Sequence, residues 1–270
     1  MNEPSIRRAT ITSAPPERTF DAWTEPEHLS RWFCDKVTGW PGSGSKLQMT
    51  WERFGFSVEY SLPEVQPPRK VVLKAAVPGM GTQTLTISIR PYGVGSQVEV
   101  VETGPGAEGQ EGAGDAESGW EMSLSILKLY VENYWGRDRT GFFALLAAPY
   151  HNEQLMHHYQ QAEGLSRWLT REGSIGKVGD PVRLVLWEGD VLTGQVLAVT
   201  SHELAVSWDE IGGYLELKSF EVNPERKAIC VRGSGYGGRL TRDRAEELEK
   251  KMEASLIRLF AALAGQPIPE

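Results

Sequence analysis

The 270-residue chain has little cysteine, no long apolar run and fewer basic than acidic residues. Cys34 and Cys230 are its only cysteines, too few for a disulfide framework and without metal-site spacing, so two free thiols are expected. Nothing approaches the run of about 18 apolar residues that a membrane-spanning helix needs. The opening MNEPSIRRAT lacks the apolar core of a signal peptide. A cytoplasmic location with no membrane partner is the resulting expectation. Lysine and arginine number 28 against 36 acids, a net charge of -8. The basic residues form no dense run, which argues against a nucleic-acid partner. Metal chemistry is equally poorly supplied. In HNEQLMHHY, His151 and His158 can share a helix face, but no third ligand is spaced with them, and solvated helix histidines are expected. GSGYGG at Gly233–Gly238 lacks both the GxGxxG spacing and the terminal Lys-Ser/Thr of a phosphate loop, so it reads as a turn.

What the chain does have is an internal copy. LSRWF at Leu29–Phe33 returns as LSRWL at Leu165–Leu169. Ala14-Pro15 is matched by Ala148-Pro149, each closing an apolar stretch and opening a helical one. Trp32 and Trp51 are 19 residues apart, as are Trp168 and Trp187. Both later tryptophans close strand-like runs that begin just after Gly44 or Gly179. Such ordered landmarks define a tandem repeat with units too long for a solenoid, residues 1–136 and 137–270. The short connection from Trp135 to Thr140 leaves little slack. The units are therefore expected to touch rather than swing freely.

In the first unit a strand over Ile6–Ser13 precedes a helix over Pro15–Trp23. A second short helix follows from Thr24, where Thr24 and Glu27 have capping-box spacing. Strand-like runs follow at Lys46–Phe54, Phe56–Val65, Lys70–Val77, Gln83–Pro91 and Ser96–Thr103. Leu47, Met49 and Trp51 alternate with Gln48, Thr50 and Glu52, the pattern of an antiparallel sheet with one wet face. A long helix then starts at Ser118, with a second S-x-x-E box and a stripe of Trp120, Leu124, Leu127 and Val131. Between sheet and helix, Gly104–Ser118 combines five glycines with four acids and is expected to be a mobile loop, with an entrance lid as the sharper reading. The second unit repeats this order. Its helix lies around Asn152–Tyr159 and its strands near Val182–Trp187, Gly194–Thr200, Glu203–Trp208, Tyr214–Val222 and Lys227–Gly233. A long helix over Arg242–Ala264 is capped by Thr241, and its stripe runs from Ala245 through Leu248, Met252 and Leu256 to Leu263.

PPERTFDAWTEPEHLSRWF (Pro15–Phe33) and GWEMSLSILKLYVE (Gly119–Glu132) resemble the opening and closing signatures of the activator-of-heat-shock-ATPase branch of the START-like (SRPBCC) superfamily. The resemblance implies an α+β fold of two tandem helix-grip units, each a curved antiparallel sheet wrapped on a long C-terminal helix. It covers residues 4–135 well and the second unit weakly: the helix there begins with charged RDRAEELEKK, and nothing corresponds to Trp120. It also implies a cavity between helix and sheet that takes apolar molecules and, because single-unit relatives often pair, an intramolecular pseudo-dimer in a monomeric chain. The large residues expected to line it in the first unit are Trp40, Trp51, Phe54, Tyr60, Trp120 and Leu124. The same side chains also suit a plain core.

Non-enzymatic binding of a small hydrophobic ligand, as carrier or sensor, is the leading expectation, with binding mainly in the first unit and no cofactor. A protein-interaction or co-chaperone-like module is the alternative. A cavity-based lyase, cyclase or hydrolase is a further one, requiring a buried ionisable group. Strand parity puts Glu59 on the wet face, and Cys34 lacks the basic surroundings of a reactive thiol.

Overall fold

In the computed structural model the described residues are 4–107, 110–148, 152–201, 203–223 and 226–269. The chain divides into two compact units, Met1–Arg137 and Asp138–Glu270.

The first unit opens with β1 (Ser5–Thr12), α1 (Pro16–Thr24) and α2 (Pro26–Trp32). Six further strands follow: β2 (Lys36–Gly39), β3 (Ser45–Trp51), β4 (Phe56–Gln66), β5 (Lys70–Val77), β6 (Gly81–Tyr92) and β7 (Gly95–Thr103). The long helix α3 (Gln110–Asn133) closes the unit. The sheet is antiparallel throughout, in the order β1-β7-β6-β5-β4-β3-β2. Its first strand thus pairs with its last, and α3 packs beside β1, α1 and α2. Alternation selects the inner face: Leu47 and Met49 on β3, Tyr60 and Leu62 on β4, Leu85, Ile87 and Ile89 on β6, and Val98 and Val100 on β7 are all buried. Helix α3 buries the expected stripe of Trp120, Leu124, Leu127 and Val131, and also Met122, Ile126 and Tyr130.

The second unit has the same plan. It comprises β8 (Arg139–Ala148), α4 (Asn152–Gln160), α5 (Ala162–Ser166) and β9 (Thr170–Glu172). Then come β10 (Pro181–Leu186), β11 (Val191–Val199), β12 (Glu203–Trp208), β13 (Gly213–Asn223), β14 (Arg226–Tyr236) and α6 (Arg242–Leu263). The sheet order β8-β14-β13-β12-β11-β10-β9 matches the first unit strand for strand. The Arg244 backbone N–H donates to Thr241 Oγ1 at 3.3 Å, so Thr241 caps α6 as expected. Ala245, Leu248, Met252, Leu256 and Leu259 are buried on its inner side. The chain is therefore α+β, two tandem helix-grip units.

The first tryptophan of each unit's repeated pair has a repeated partner. Trp32 Nε1 donates to the Ala22 carbonyl at 2.8 Å, and Trp168 Nε1 donates to the His158 carbonyl at 2.9 Å, each ten residues upstream. Trp51 Nε1 donates to the Phe33 carbonyl at 3.1 Å and Trp187 Nε1 to the Ser166 carbonyl at 3.2 Å. Trp32 and Trp168 thus close the same loop back onto the helix before them, whereas Trp51 and Trp187 reach back to carbonyls at different places in the repeat.

Four expectations need correction. Gly104–Ser118 is not a loop throughout: Pro105–Ala107 forms a short 3-10 turn and α3 begins at Gln110, with 108–109 outside the described residues. Extending an existing helix needs no new nucleus. The strong helix formers Gln110, Glu111, Ala113, Ala116 and Glu117 offset two glycines, each worth about 1 kcal/mol against the helix. Ser118 is therefore inside α3 and buried rather than at its start. Thr24 does not cap α2 either. It is the last residue of α1, its hydroxyl donates back to the Phe20 carbonyl at 3.1 Å, and the chain turns at Glu25 instead. Two short edge strands, β2 and β9, are additions to the expected set, too brief to show a pattern. His158 is buried rather than solvated, because α4 turns it under the Trp168 loop, whereas His157 is exposed. His151 lies outside the described residues.

Candidate functional site

Aromatic rings from three places meet inside the first unit. Trp23 lies in the last turn of α1, Phe33 follows α2, and Trp120 comes from α3. Phe33 stacks on Trp120 at 6.0 Å between ring centroids and meets Trp51 edge-on at 5.5 Å. Trp23 lies 6.2 Å from Trp120, 5.8 Å from Phe33 and 4.8 Å from Trp32. Trp51 then stacks on Phe56 at 5.0 Å, which leads outward to Phe54 at 6.4 Å. The series runs from the buried Trp32 to the exposed Phe56. Edge and offset contacts of this kind add roughly 0.5–1.5 kcal/mol each beyond area burial.

An acid sits beside these rings. On β7 the alternation that turns Val98 and Val100 inward turns Glu102 inward as well, and it is 3% exposed. Trp120 Nε1 donates to Glu102 Oε2 at 2.5 Å, and Gln83 Nε2 donates to Glu102 Oε1 at 2.6 Å. Gln83 pairs with Ala75 on β5, and Ser61 with Lys74, so the inner face carries only a methyl between Gln83 and Tyr60. Tyr60 is buried, and its phenol is held well above the usual range by burial first, then by the nearby Glu102 and Cys34. The interior of the first unit is thus aromatic on the helix side and polar at Glu102, Gln83 and Tyr60.

Of the six residues expected to line a cavity, Trp51 and Trp120 join through Phe33, while Tyr60 reaches Trp120 through Glu102. Leu124 is buried on α3 one turn further on. Phe54, half-buried in the 3-10 turn Glu52–Phe54, meets Phe56 at the outer end of the series. Trp40 is not brought to the interior. It is 73% exposed, in the turn between β2 and β3, where its ring lies over Gly42. Glu59 is on the wet face as expected and pairs with Lys46 at 2.6 Å. Cys34 is fully buried, its thiol directed to the Lys36 carbonyl at 3.6 Å, and Cys230 is buried and unpaired with any other cysteine. Glu102 is the ionisable group missing from the sequence reading, and the parity of QVEVVET carries its signal.

The second unit's interior differs. Its core, from Phe142 through Trp168, Trp208 and Leu215 to Leu259, is apolar. Its buried charges are mutually compensated. Arg258 pairs with Glu188 and donates to the Trp168 carbonyl at 3.2 Å. On the face of β12–β14 opposite the core, Arg232 pairs with Glu216 at 2.6 Å, and Lys218 lies 3.2 Å from Glu216 and 3.4 Å from Glu203. Burial pushes the Glu203 carboxyl up to about 7 against the pull of Lys218, and neighbouring Glu216 adds to the rise. For Glu216 burial acts in the same upward direction, but Arg232 and Lys218 hold it below the usual carboxylate range. The start of α6 is tied down by Arg244 and Lys251, both paired with Asp190. A separate open cleft of about 730 Å3 lies among Gln160, Gln161, Ser174, Ile175, Lys177 and Asp180. Among the described residues no three His, Cys, Asp or Glu side chains cluster as a metal site, and no helix is long and apolar enough to cross a membrane.

A long helix lying against a curved antiparallel sheet, over an aromatic interior, defines a helix-grip domain of the cavity type. Residues 13–132 match the family model described as activator of Hsp90 ATPase homolog 1-like protein. Among solved structures, DynU16 of the dynemicin biosynthetic locus is 16% identical over 97% of this chain and 98% of its own, with a TM-score of 0.43. The di-domain ARO/CYC BexL from the BE-7585A biosynthetic pathway is 12% identical over 99% of this chain and 100% of its own, TM-score 0.44. The Aha1 dimer from Colwellia psychrerythraea is 18% identical over 47% of this chain and 96% of its own, TM-score 0.42. Likenesses at these levels assign no chemistry to this chain. No curated protein matches it.

Proposed function

We propose that the first unit binds a small, largely apolar ligand between α3 and the inner face of its sheet, acting as a carrier or sensor without turning the ligand over. The observation that carries this reading is the meeting of Trp23, Phe33, Trp51 and Trp120 beside the inward Glu102. Apolar walls with a few fixed polar groups suit a small molecule whose burial supplies affinity and whose polar atom supplies orientation. Native mass spectrometry of freshly purified full-length protein tests the reading: a retained small molecule, or uptake of an added naphthalene-sulfonate dye, supports it. Absence of both, from protein shown to be folded, counts against it.

Glu102 favours a second reading, a cavity enzyme of lyase, cyclase or hydrolase type, because a buried acid beside Tyr60 is the group such chemistry needs. Recovery of a chemically altered molecule after incubation separates this from simple binding. A third reading, a protein-interaction module like the activator for which the family is described, is favoured by the 73% exposure of Trp40. We also propose that the chain is monomeric. A stable dimer by light scattering at micromolar concentration contradicts that.

A further inference from the structure

Trp23 is 1% exposed, yet its indole N–H has no hydrogen-bond partner. Six other tryptophans have an acceptor: Trp32 in Ala22, Trp51 in Phe33, Trp120 in Glu102, Trp168 in His158, Trp187 in Ser166 and Trp208 in Val191. Burying a donor without an acceptor forfeits the hydrogen bond that water gives it in the unfolded chain, and native proteins do so rarely. A phenylalanine at this position would give similar ring packing without that loss. The surroundings explain why the chain offers nothing. Trp23 is ringed by Trp32, Phe33 and Trp120, whose faces are poor acceptors. The polar edge of Trp120 is already committed to Glu102. At the corresponding place in the second unit, one residue after the carbonyl that receives Trp168, stands Tyr159.

We propose that the Trp23 N–H is a specificity-determining donor of the first unit's ligand site, reserved for an acceptor oxygen on the ligand. This rests on the binding reading above and narrows its ligand class. Ring walls on three sides favour a flat aromatic or conjugated body. The negative faces of the rings around Trp23 disfavour an anion, so the acceptor is an uncharged carbonyl such as a ketone, lactone or amide. Carboxylates and phosphates are poor ligands on this account.

The test uses full-length protein and two probes of matched shape, 2-acetylnaphthalene and 2-isopropenylnaphthalene, which differ in carrying C=O or C=CH2. Equilibrium dialysis gives affinities for wild type and for Trp23→Phe, with circular dichroism confirming that both are folded. The expected result is a five- to tenfold loss of ketone affinity in Trp23→Phe, about one hydrogen bond, with alkene affinity unchanged within about twofold. Equal losses for both probes, or no loss for either, overturn the proposal. Those outcomes mean that Trp23 only packs, or that its N–H is satisfied on the face of Trp32. Should Trp23→Phe fail to fold, the wild-type ratio decides. A site with a waiting donor binds the ketone at least as tightly as the alkene, whereas a donor-free site binds the less water-soluble alkene more tightly by about tenfold. If neither probe binds folded wild-type protein, the binding reading falls and this proposal with it; a changed or unchanged ratio bears on Trp23 alone.

Discussion

Trp120 Nε1 sits 2.5 Å from Glu102 Oε2, an indole N–H given to an inward acid that also receives Gln83. The pair ties the long helix to the last strand of the sheet and sets the polar corner of the interior. Its two replacements are expected to differ. Glu102→Gln still offers an oxygen to Trp120, and Gln83 can turn its own carbonyl toward the new amide, so the cost is under about 1 kcal/mol. Glu102→Leu strands both donors and costs about 2–4 kcal/mol. Urea unfolding of the two variants checks this, and a Leu variant as stable as the Gln variant contradicts it.

The two copies of the tryptophan loop make a second expectation. Trp32→Phe leaves the Ala22 carbonyl without its donor, and Trp168→Phe does the same to the His158 carbonyl. Both sites are fully buried. Each change is expected to cost roughly 1–3 kcal/mol, and the two costs should add because the sites share no partner. Thermal unfolding of the single and double variants measures both. A loss confined to one copy means that the repeated spacing no longer has a repeated role.

The charged group on β12–β14 predicts a pH dependence. The Glu203 carboxyl is raised from 4.5 to about 7, chiefly by burial. The folded state therefore binds its proton more tightly than the unfolded chain does. Its contribution is fully present below pH 4.5 and is lost as pH rises through about 7, a change of no more than about 3 kcal/mol. Glu216, held low by Arg232 and Lys218, works in the opposite direction and loses its contribution as pH falls below 4.5. Stability measured by denaturant at pH 5, 6, 7 and 8 should fall less steeply with pH in Glu203→Gln than in wild type. Parallel curves sink the assignment.

The tandem plan was legible because its marks are large and covalently spaced. Trp32 and Trp168 each have a carbonyl partner ten residues upstream, and an insertion between the two would break that bond. Strand parity placed Glu59 outside and Leu85, Ile87 and Ile89 inside for the same local reason. Parity also pointed Glu102 inward, but an acid after two valines reads as the wet end of a strand until Trp120 and Gln83 are seen to receive it. Trp40 misled because a tryptophan near a strand suggests burial, while the glycines around it let the turn hold its ring outside. Gly104–Ser118 misled because composition counts glycines and acids but not the helix already waiting at Gly119 to be extended. Trp23 was legible only as part of a helix; that its N–H lacks a partner is a property of three other segments.

The central claim, that an apolar ligand enters the first unit's interior, is tested most directly by photolabelling the full-length protein with benzophenone, itself an uncharged aromatic ketone. On irradiation its carbonyl takes a hydrogen from a nearby C–H and the two radicals combine, adding the whole molecule at the site. The account predicts saturable label, displaced by 2-acetylnaphthalene, in peptides carrying Phe20–Phe33, Met49–Trp51 or Trp120–Leu127. Label confined to the second unit's cleft around Gln160–Asp180, or label that never saturates, would contradict it.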